Sequence, residues 1–365
     1  MRNIKRIIAL ALGLLMALSF AGCHKKNEIA VTIGDVEFTS AYYMCALVNA
    51  DSEAKGKIYE ELSEDEQKNG NIDYYSKKID KKDFVEWVED KAIESLKSIA
   101  AYKTLCEKNK VEPKEEDLSN AEMYANYYWS SYGYAAYFEP NGVSQATYTQ
   151  YMKDSYYAEA YFEHLYGKEG EKAIAADDVK TKMTENFVIA NILTASYTSE
   201  MKDTDKTALK DKLNGYVTEL QNGTRSFKEI YNEFNDVKEE TADTEEKAEE
   251  GEEETPKPKD ENASIIGAED TGYDAEYYDA VKAMATGEVK IIELENDAGL
   301  VLAVKQDILA DEYYLDTLDM NVRHLIADEE YEKTVEDYAK ELQIEINKYA
   351  VNQFKVKKIV EPSYS

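Results

Sequence analysis

The longest apolar run in the chain is Ile7 to Phe20, and its length limits every fold the chain can adopt. Fourteen residues fall short of the roughly 20 that a helix needs to cross a bilayer. No second run of comparable length follows. The 343 residues from Cys23 onward must therefore bury their apolar side chains against one another, in two or three domains by length.

The run itself reads as a targeting segment. Arg2, Lys5 and Arg6 make a positive start, and Ala21 and Gly22 are small residues before a cut. Together they describe a secretory signal over residues 1–22. The Phe20-Ala21-Gly22-Cys23 ending resembles a bacterial lipobox, whose Cys is acylated and becomes the mature N-terminus. Phe20 stands where that motif usually has Leu. The resemblance implies lipid attachment at Cys23 and a body held on the outer side of the cell membrane. An ordinary secreted protein or a signal anchor is the plainer alternative.

Charge narrows the partners. The chain has 75 acidic and 43 basic residues, a net charge of -32, which becomes -35 once Arg2, Lys5 and Arg6 are removed. Such a surface repels phosphate backbones, so nucleic acid is not an expected partner. Beyond Cys23 only Cys45 and Cys106 remain, both among apolar residues, and small buried side chains are the expected reading rather than a disulfide framework. His24, His164 and His324 lie far apart, with no metal-ligand spacing, and no phosphate or dinucleotide loop is present. No metal and no cofactor is expected.

Ile29 to Phe38 alternates around Gly34-Asp35 and predicts a hairpin. Phe84, Trp87, Val88, Ala92, Ile93, Leu96, Ile99 and Ala100 recur at helical spacing. Residues 121–166 crowd tyrosines around Trp129, and steps of three and four put many rings on common helix faces. Most of these rings suit core packing with hydroxyls at water. Tyr127, Tyr128, Trp129 and Tyr132 are the candidates for a surface that holds extended polypeptide, since tyrosine gives contact area at low entropy cost.

From Phe187 the pattern changes. Phe187 to Ala195 predicts a strand, Lys206 to Asn222 a helix ended by Gly223, and Phe227 to Phe234 a short helix. Residues 239–261 are acidic and nearly free of apolar side chains, which predicts a disordered loop, taken with its edges as 237–262. Tyr273 to Ala285 reads as a helix. Val289–Leu294 and Leu300–Val304 read as strands around Asn296-Asp297. Asp311 to Gln343 is one long helix by its apolar positions, Ile344 to Asn347 a strand exit, and Phe354, Val356 and Ile359 a further short strand.

Strand, helix, short helix, loop, helix, strand, strand is the order of a parvulin-type prolyl isomerase domain. Val188-Ile189-Ala190-Asn191-Ile192-Leu193 is similar to that family's first strand, usually Ala-Ser-His-Ile-Leu. Asn222-Gly223 with Phe227, and Gly287-Glu288-Val289, match further motifs, and Gly299-Leu300-Val301 lies where Gly-Tyr-His is usual. With Cys23, the Ile29-Ala30…Gly34-Asp35…Phe38-Thr39 hairpin and the returning helix, the whole mature chain resembles PrsA-like foldases, whose chaperone part resembles the SurA N-terminal domain.

This resemblance implies an α+β fold. A mainly helical SurA-like chaperone domain, 23–182, is completed by 309–365, and an inserted parvulin-like α/β domain spans 183–308. It implies unfolded or partly folded exported proteins as clients, membrane contact through the N-terminal lipid and a Gram-positive surface, and it leaves a homodimer open. The family's cleft positions map onto Asn191, Asp236, Tyr273, Tyr277 and Val301. Asn191 and Val301 replace the two family histidines, so the implied isomerase activity is weak or lost. A solute- or peptide-binding lipoprotein and a non-catalytic assembly scaffold are the competing function classes.

Overall fold

The computed structural model describes residues 28–70, 72–237, 257–269 and 273–360. The segment 1–22 read as a signal, Cys23 and residues 238–256 of the acidic stretch lie outside them. The fold is mixed α+β. Its first half runs β1 (Ile29–Ile33), β2 (Val36–Thr39), α1 (Ser40–Glu61), α2 (Glu64–Asn69), β3 (Lys78–Ile79), β4 (Lys82–Asp83), α3 (Phe84–Asn109), α4 (Glu115–Ser131), α5 (Tyr134–Phe138) and α6 (Gln145–Tyr166). Then follow α7 (Ala176–Asn186), β5 (Phe187–Ser196), α8 (Asp203–Gln221), α9 (Phe227–Phe234), β6 (Ala263–Gly267) and α10 (Tyr273–Lys282). The last elements are β7 (Val289–Glu293), β8 (Gly299–Gln306), α11 (Glu312–Glu341), β9 (Ile344–Ile346) and α12 (Lys348–Val351). Among the described residues no helix is long and apolar enough to cross a membrane.

The chain divides into two compact units, one made of residues up to Leu165 together with those from Glu329, the other of Tyr166–Asp328. In the first unit β1 is central, antiparallel to β2 on one side and to β9 on the other. Gly34 makes the tight turn at φ 57°, where side chains are disfavoured. Phe84, Val88, Ala92, Leu96 and Ala100 form the buried stripe of α3 at helical spacing, against Tyr43, Leu47 and Val48 of α1. Tyr331, Val335 and Ala339 in the last turns of α11 are buried as well. Tyr331 stacks on Tyr102, meets Phe162 edge-on at 5.1 Å and donates its hydroxyl to the Ala158 carbonyl at 2.5 Å. The expected final strand is instead a 3-10 turn at Val356–Lys358, because Val356 points wholly inward while its neighbours cap that turn.

The second unit is an antiparallel sheet in the order β6-β5-β8-β7. Strand alternation gives it two apolar faces. Val188, Ala190, Val301 and Ala303 pack with Tyr277, Tyr278, Val281 and Met284, on the face that α10 covers. Leu193, Leu300 and Leu302 pack with Leu213, Phe227 and Ile230 of α8 and α9 on the other. Ile189 on that second face meets Val179 and Met183 of α7 and Leu318 and Val322 of α11. This last cluster explains why the unit is larger than the 183–308 span read from sequence: α7 and the first turns of α11 bury their stripes on the sheet.

Gly299 opens β8 opposite Ser196. A Cβ at this position would lie 2.4 Å from the Ala195 carbonyl oxygen and 2.8 Å from the Ser196 Cα, both backbone. Gly299→Ala is therefore expected to destabilise the second unit by about 2 kcal/mol, since a strand pair must shift. A urea midpoint for that unit unchanged from the parent chain would contradict the close approach.

Candidate functional site

Of the positions that resemble a parvulin cleft, Val301 and Tyr277 share one face of the sheet, while Asn191 and Asp236 lie elsewhere. Asn191 on β5 pairs with Val304 on β8, while Val301 pairs with Thr194. Directly opposed residues in an antiparallel ladder share a face and successive residues alternate, so Asn191 and Val301 face opposite sides of the sheet. Val301 is 0% exposed and packs in the same cluster as Tyr277. Tyr273 begins α10, but its side chain lies outside the described residues. Asp236 is exposed in a left-handed turn (φ 53°) after α9, where the Val237 amide donates to the Asn232 carbonyl at 2.9 Å. It serves the helix end there.

Asn191 is 1% exposed, and its amide is used on both sides. Its Nδ2 donates to Asp260 at 2.9 Å, and its Oδ1 accepts from Gln306 Nε2 at 2.5 Å. Asp260 also accepts from the Asn262 amide at 3.0 Å, and the Lys259 amide donates to Asp311 at 2.7 Å. The last residues of the stretch expected to be disordered, 257–262, are thus held by side chains of the sheet and of the residue before α11. A buried amide with both partners satisfied is a structural tie.

The tyrosines of α4 and α5 do form a surface. Tyr124, Tyr127 and Tyr132 are 45%, 51% and 61% exposed, and Met123 beside them is exposed too. Tyr127 meets Tyr132 edge-on at 5.4 Å, Tyr128 meets Tyr132 at 5.5 Å, and Tyr128 stacks on Tyr124 at 6.3 Å and on Tyr134 at 5.6 Å. Neighbouring rings at these separations hold one another in place. The result is a contiguous aromatic patch with several faces turned to solvent.

Trp129 is a correction to the expected group. It is 7% exposed and stacks on Phe138 at 6.2 Å and beside Tyr148 at 5.8 Å. Ala121, Ala125 and Trp129 form the buried stripe of α4, four residues apart. The exposed rings lie on the other side of that helix, and Trp129 supports them from beneath.

Tyr156 and Asp117 belong to this surface and were not singled out from sequence. Helices α4 and α6 run antiparallel, shown by Gln145 to Asn126 at 2.8 Å, Lys153 to Glu122 at 2.6 Å and Lys114 to Glu163 at 2.7 Å. Burial raises the pKa of the Tyr156 hydroxyl, and Asp117, Tyr124 and Tyr128 nearby raise it further. The sequence signal was the shared spacing of 117, 124 and 128 along one helix face.

A second concavity of about 500 Å³ lies among α3, α6 and the last turns of α11, with Ser95, Ser98, Tyr102 and Asp154 in its lining. Asp154 is buried and accepts from the Tyr42 hydroxyl at 2.8 Å, Lys103 at 3.0 Å and Gln150 at 2.8 Å. Its charge is compensated inside the protein.

No protein-family model matches the chain, and no curated protein matches it. Among solved structures, the foldase protein PrsA from Lactococcus lactis is similar with a TM-score of 0.37 and 11% identity, over 90% of this chain and 99% of that one. PrsA from Bacillus subtilis is similar with a TM-score of 0.30 and 11% identity, over 76% of this chain and 87% of that one.

Proposed function

We propose that the chain is a membrane-tethered, extracytoplasmic chaperone for exported polypeptides, whose isomerase-like unit has little or no prolyl isomerase activity. The exposed tyrosine surface on α4 and α5 carries this reading. Its rings sit on helices with Trp129, Phe138 and Tyr148 packed below, so a client loses its own freedom on binding while the surface loses little. Contacts of this kind are individually weak and reversible. Lipid attachment at Cys23 would supply what they lack, a high local concentration where clients emerge. The order of motifs that resembles PrsA-like foldases supports the same role.

Isomerisation of X-Pro bonds takes tens of seconds unaided, and a catalyst must favour the twisted amide over the planar one. Asn191 and Val301, buried on opposite faces, offer no shared group to a proline in transit.

The unmodified chain is expected to suppress aggregation of a denatured exported protein on dilution, followed by light scattering. Unchanged aggregation at a tenfold molar excess of the chain would remove the chaperone reading. The groove beside Asp154 favours the solute-binding alternative. A melting-temperature rise with one small molecule, and no effect on aggregation, would support that one instead.

A further inference from the structure

Resting on the tyrosine surface as a polypeptide site, we infer that it selects extended segments in which lysine or arginine flanks an apolar stretch, with the cation seated against carboxylates near the N-terminus of α4. The aromatic surface and the acidic rim are continuous. Asp117, Tyr124 and Tyr128 follow one another on α4 at intervals that keep them on one face, and the Tyr156 hydroxyl of α6 lies within electrostatic reach of all three. Asp117 to Tyr128 spans about 16 Å of helix, the length of roughly five extended residues. A bound segment can therefore lay apolar side chains on the rings while one end reaches the rim.

The rim is short of positive charge. Among the described residues, the charged groups facing Asp117 are Lys114 and Glu116 on its own side and Glu159 and Glu163 from α6. Lys114 is already paired with Glu163 at 2.7 Å. Burial, and then the surrounding carboxylates, raise the Asp117 pKa although Lys114 opposes them. A further cation would relieve this repulsion. Tyrosine faces add a second attraction, since guanidinium and ammonium groups lie favourably over aromatic rings. Acidic or neutral segments gain neither effect, and the net charge of -32 disfavours acidic ones at a distance.

The pH dependence has a defined sign. A bound cation favours ionised Asp117, so its pKa is lower in the complex than in the free protein. The gain is full above the raised free-state pKa and is lost as pH falls through it toward the bound-state value.

The test uses the full chain and fluorescein-labelled peptides with a Leu-Phe-Leu-Ala-Phe core, flanked by two lysines or two glutamates at each end, read by anisotropy. The lysine peptide is expected to bind at least tenfold tighter at pH 7, and Glu116→Gln with Asp117→Asn is expected to cut that preference below threefold. A control that removes two remote charges, Glu60→Gln with Glu61→Gln, should leave it intact. Equal loss in both double variants would assign the preference to overall charge and overturn the inference. Equal affinity for the two peptides, weakened about fivefold by Tyr127→Ser, would overturn it too while sparing the tyrosine reading. If neither peptide binds, both readings fall. Should the Glu116/Asp117 variant lose its far-UV circular dichroism, the exposed Glu116→Gln alone decides, with at least a twofold loss of preference expected and no loss overturning the inference.

Discussion

Replacing Tyr124, Tyr127 and Tyr132 together by serine is expected to raise the concentration needed to halve client aggregation by at least tenfold. Burying a large side chain contributes about 1.5–3 kcal/mol. These rings are about half exposed, so each can add roughly 1 kcal/mol on covering. Three such losses amount to about 3 kcal/mol, or a factor of about 100 in affinity for a segment that engages all three. A tenfold loss allows for clients that use only part of the surface. Stability should fall as well, by about 2 kcal/mol, and the assay is run where the variant stays folded. Tyr124 and Tyr132 each meet Tyr128, and Tyr127 meets both Tyr128 and Tyr132, so four ring pairs are lost at about 0.5 kcal/mol or more each, while the core beneath keeps Trp129, Phe138 and Tyr148. Tyr59→Ser, which removes another exposed tyrosine on α1, serves as the control. Full chaperone activity in the triple variant, with Tyr59→Ser equally silent, would move the client site elsewhere.

What the sequence disclosed depended on whether a segment has one buried face. Helix α3 was legible because Phe84, Val88, Ala92, Leu96 and Ala100 repeat against polar neighbours. Helix α1 was not, since residues 40–48 are buried without interruption and leave no period to read. The β3–β4 hairpin was missed for another reason. Its turn places Asp80 and Lys81 at φ 51° and 71°, and neither is the glycine that usually marks such a turn. Strands β5, β7 and β8 were found because apolar runs are bounded by turn residues, including Asn296 and Asp297.

The candidate site followed the same logic. Density of aromatic residues singled out Trp129, whereas helical phase assigns it to the stripe of Ala121 and Ala125. Phase was available in the sequence, and it would have separated Trp129 from Tyr124 and Tyr127. The approach of Tyr156 to within electrostatic reach of Asp117 needed the packing of α4 on α6, which no local pattern specifies. Likewise Asp260 gave no sign that it would receive the Asn191 amide from 69 residues away.

Introducing two histidines, Asn191→His with Val301→His, is expected to leave prolyl isomerase activity within about twofold of the parent chain and to weaken the second unit. In the register that joins β5 to β8, Asn191 lies opposite Val304, three residues from Val301. An odd offset puts the two side chains on different faces, so the two imidazoles could not share a substrate. Each substitution also has its own cost. A histidine at 191 must give up part of the arrangement in which the amide donates to Asp260 and accepts from Gln306, leaving a buried polar group short of a partner at about 1–3 kcal/mol. At 301 an imidazole would enter the cluster of Ile292, Tyr277 and Ala190, where removing a polar group from water costs about 1–3 kcal/mol without a compensating bond. The sum, roughly 2–6 kcal/mol, is large against the marginal stability of a small domain. The single variants separate fold from catalysis, because each carries only part of that cost. A proline-limited peptide assay on both singles and the double settles the matter. A tenfold rise in rate confined to the double variant would mean that the two side chains converge, and that the strand register described for β5 and β8 is wrong by one residue.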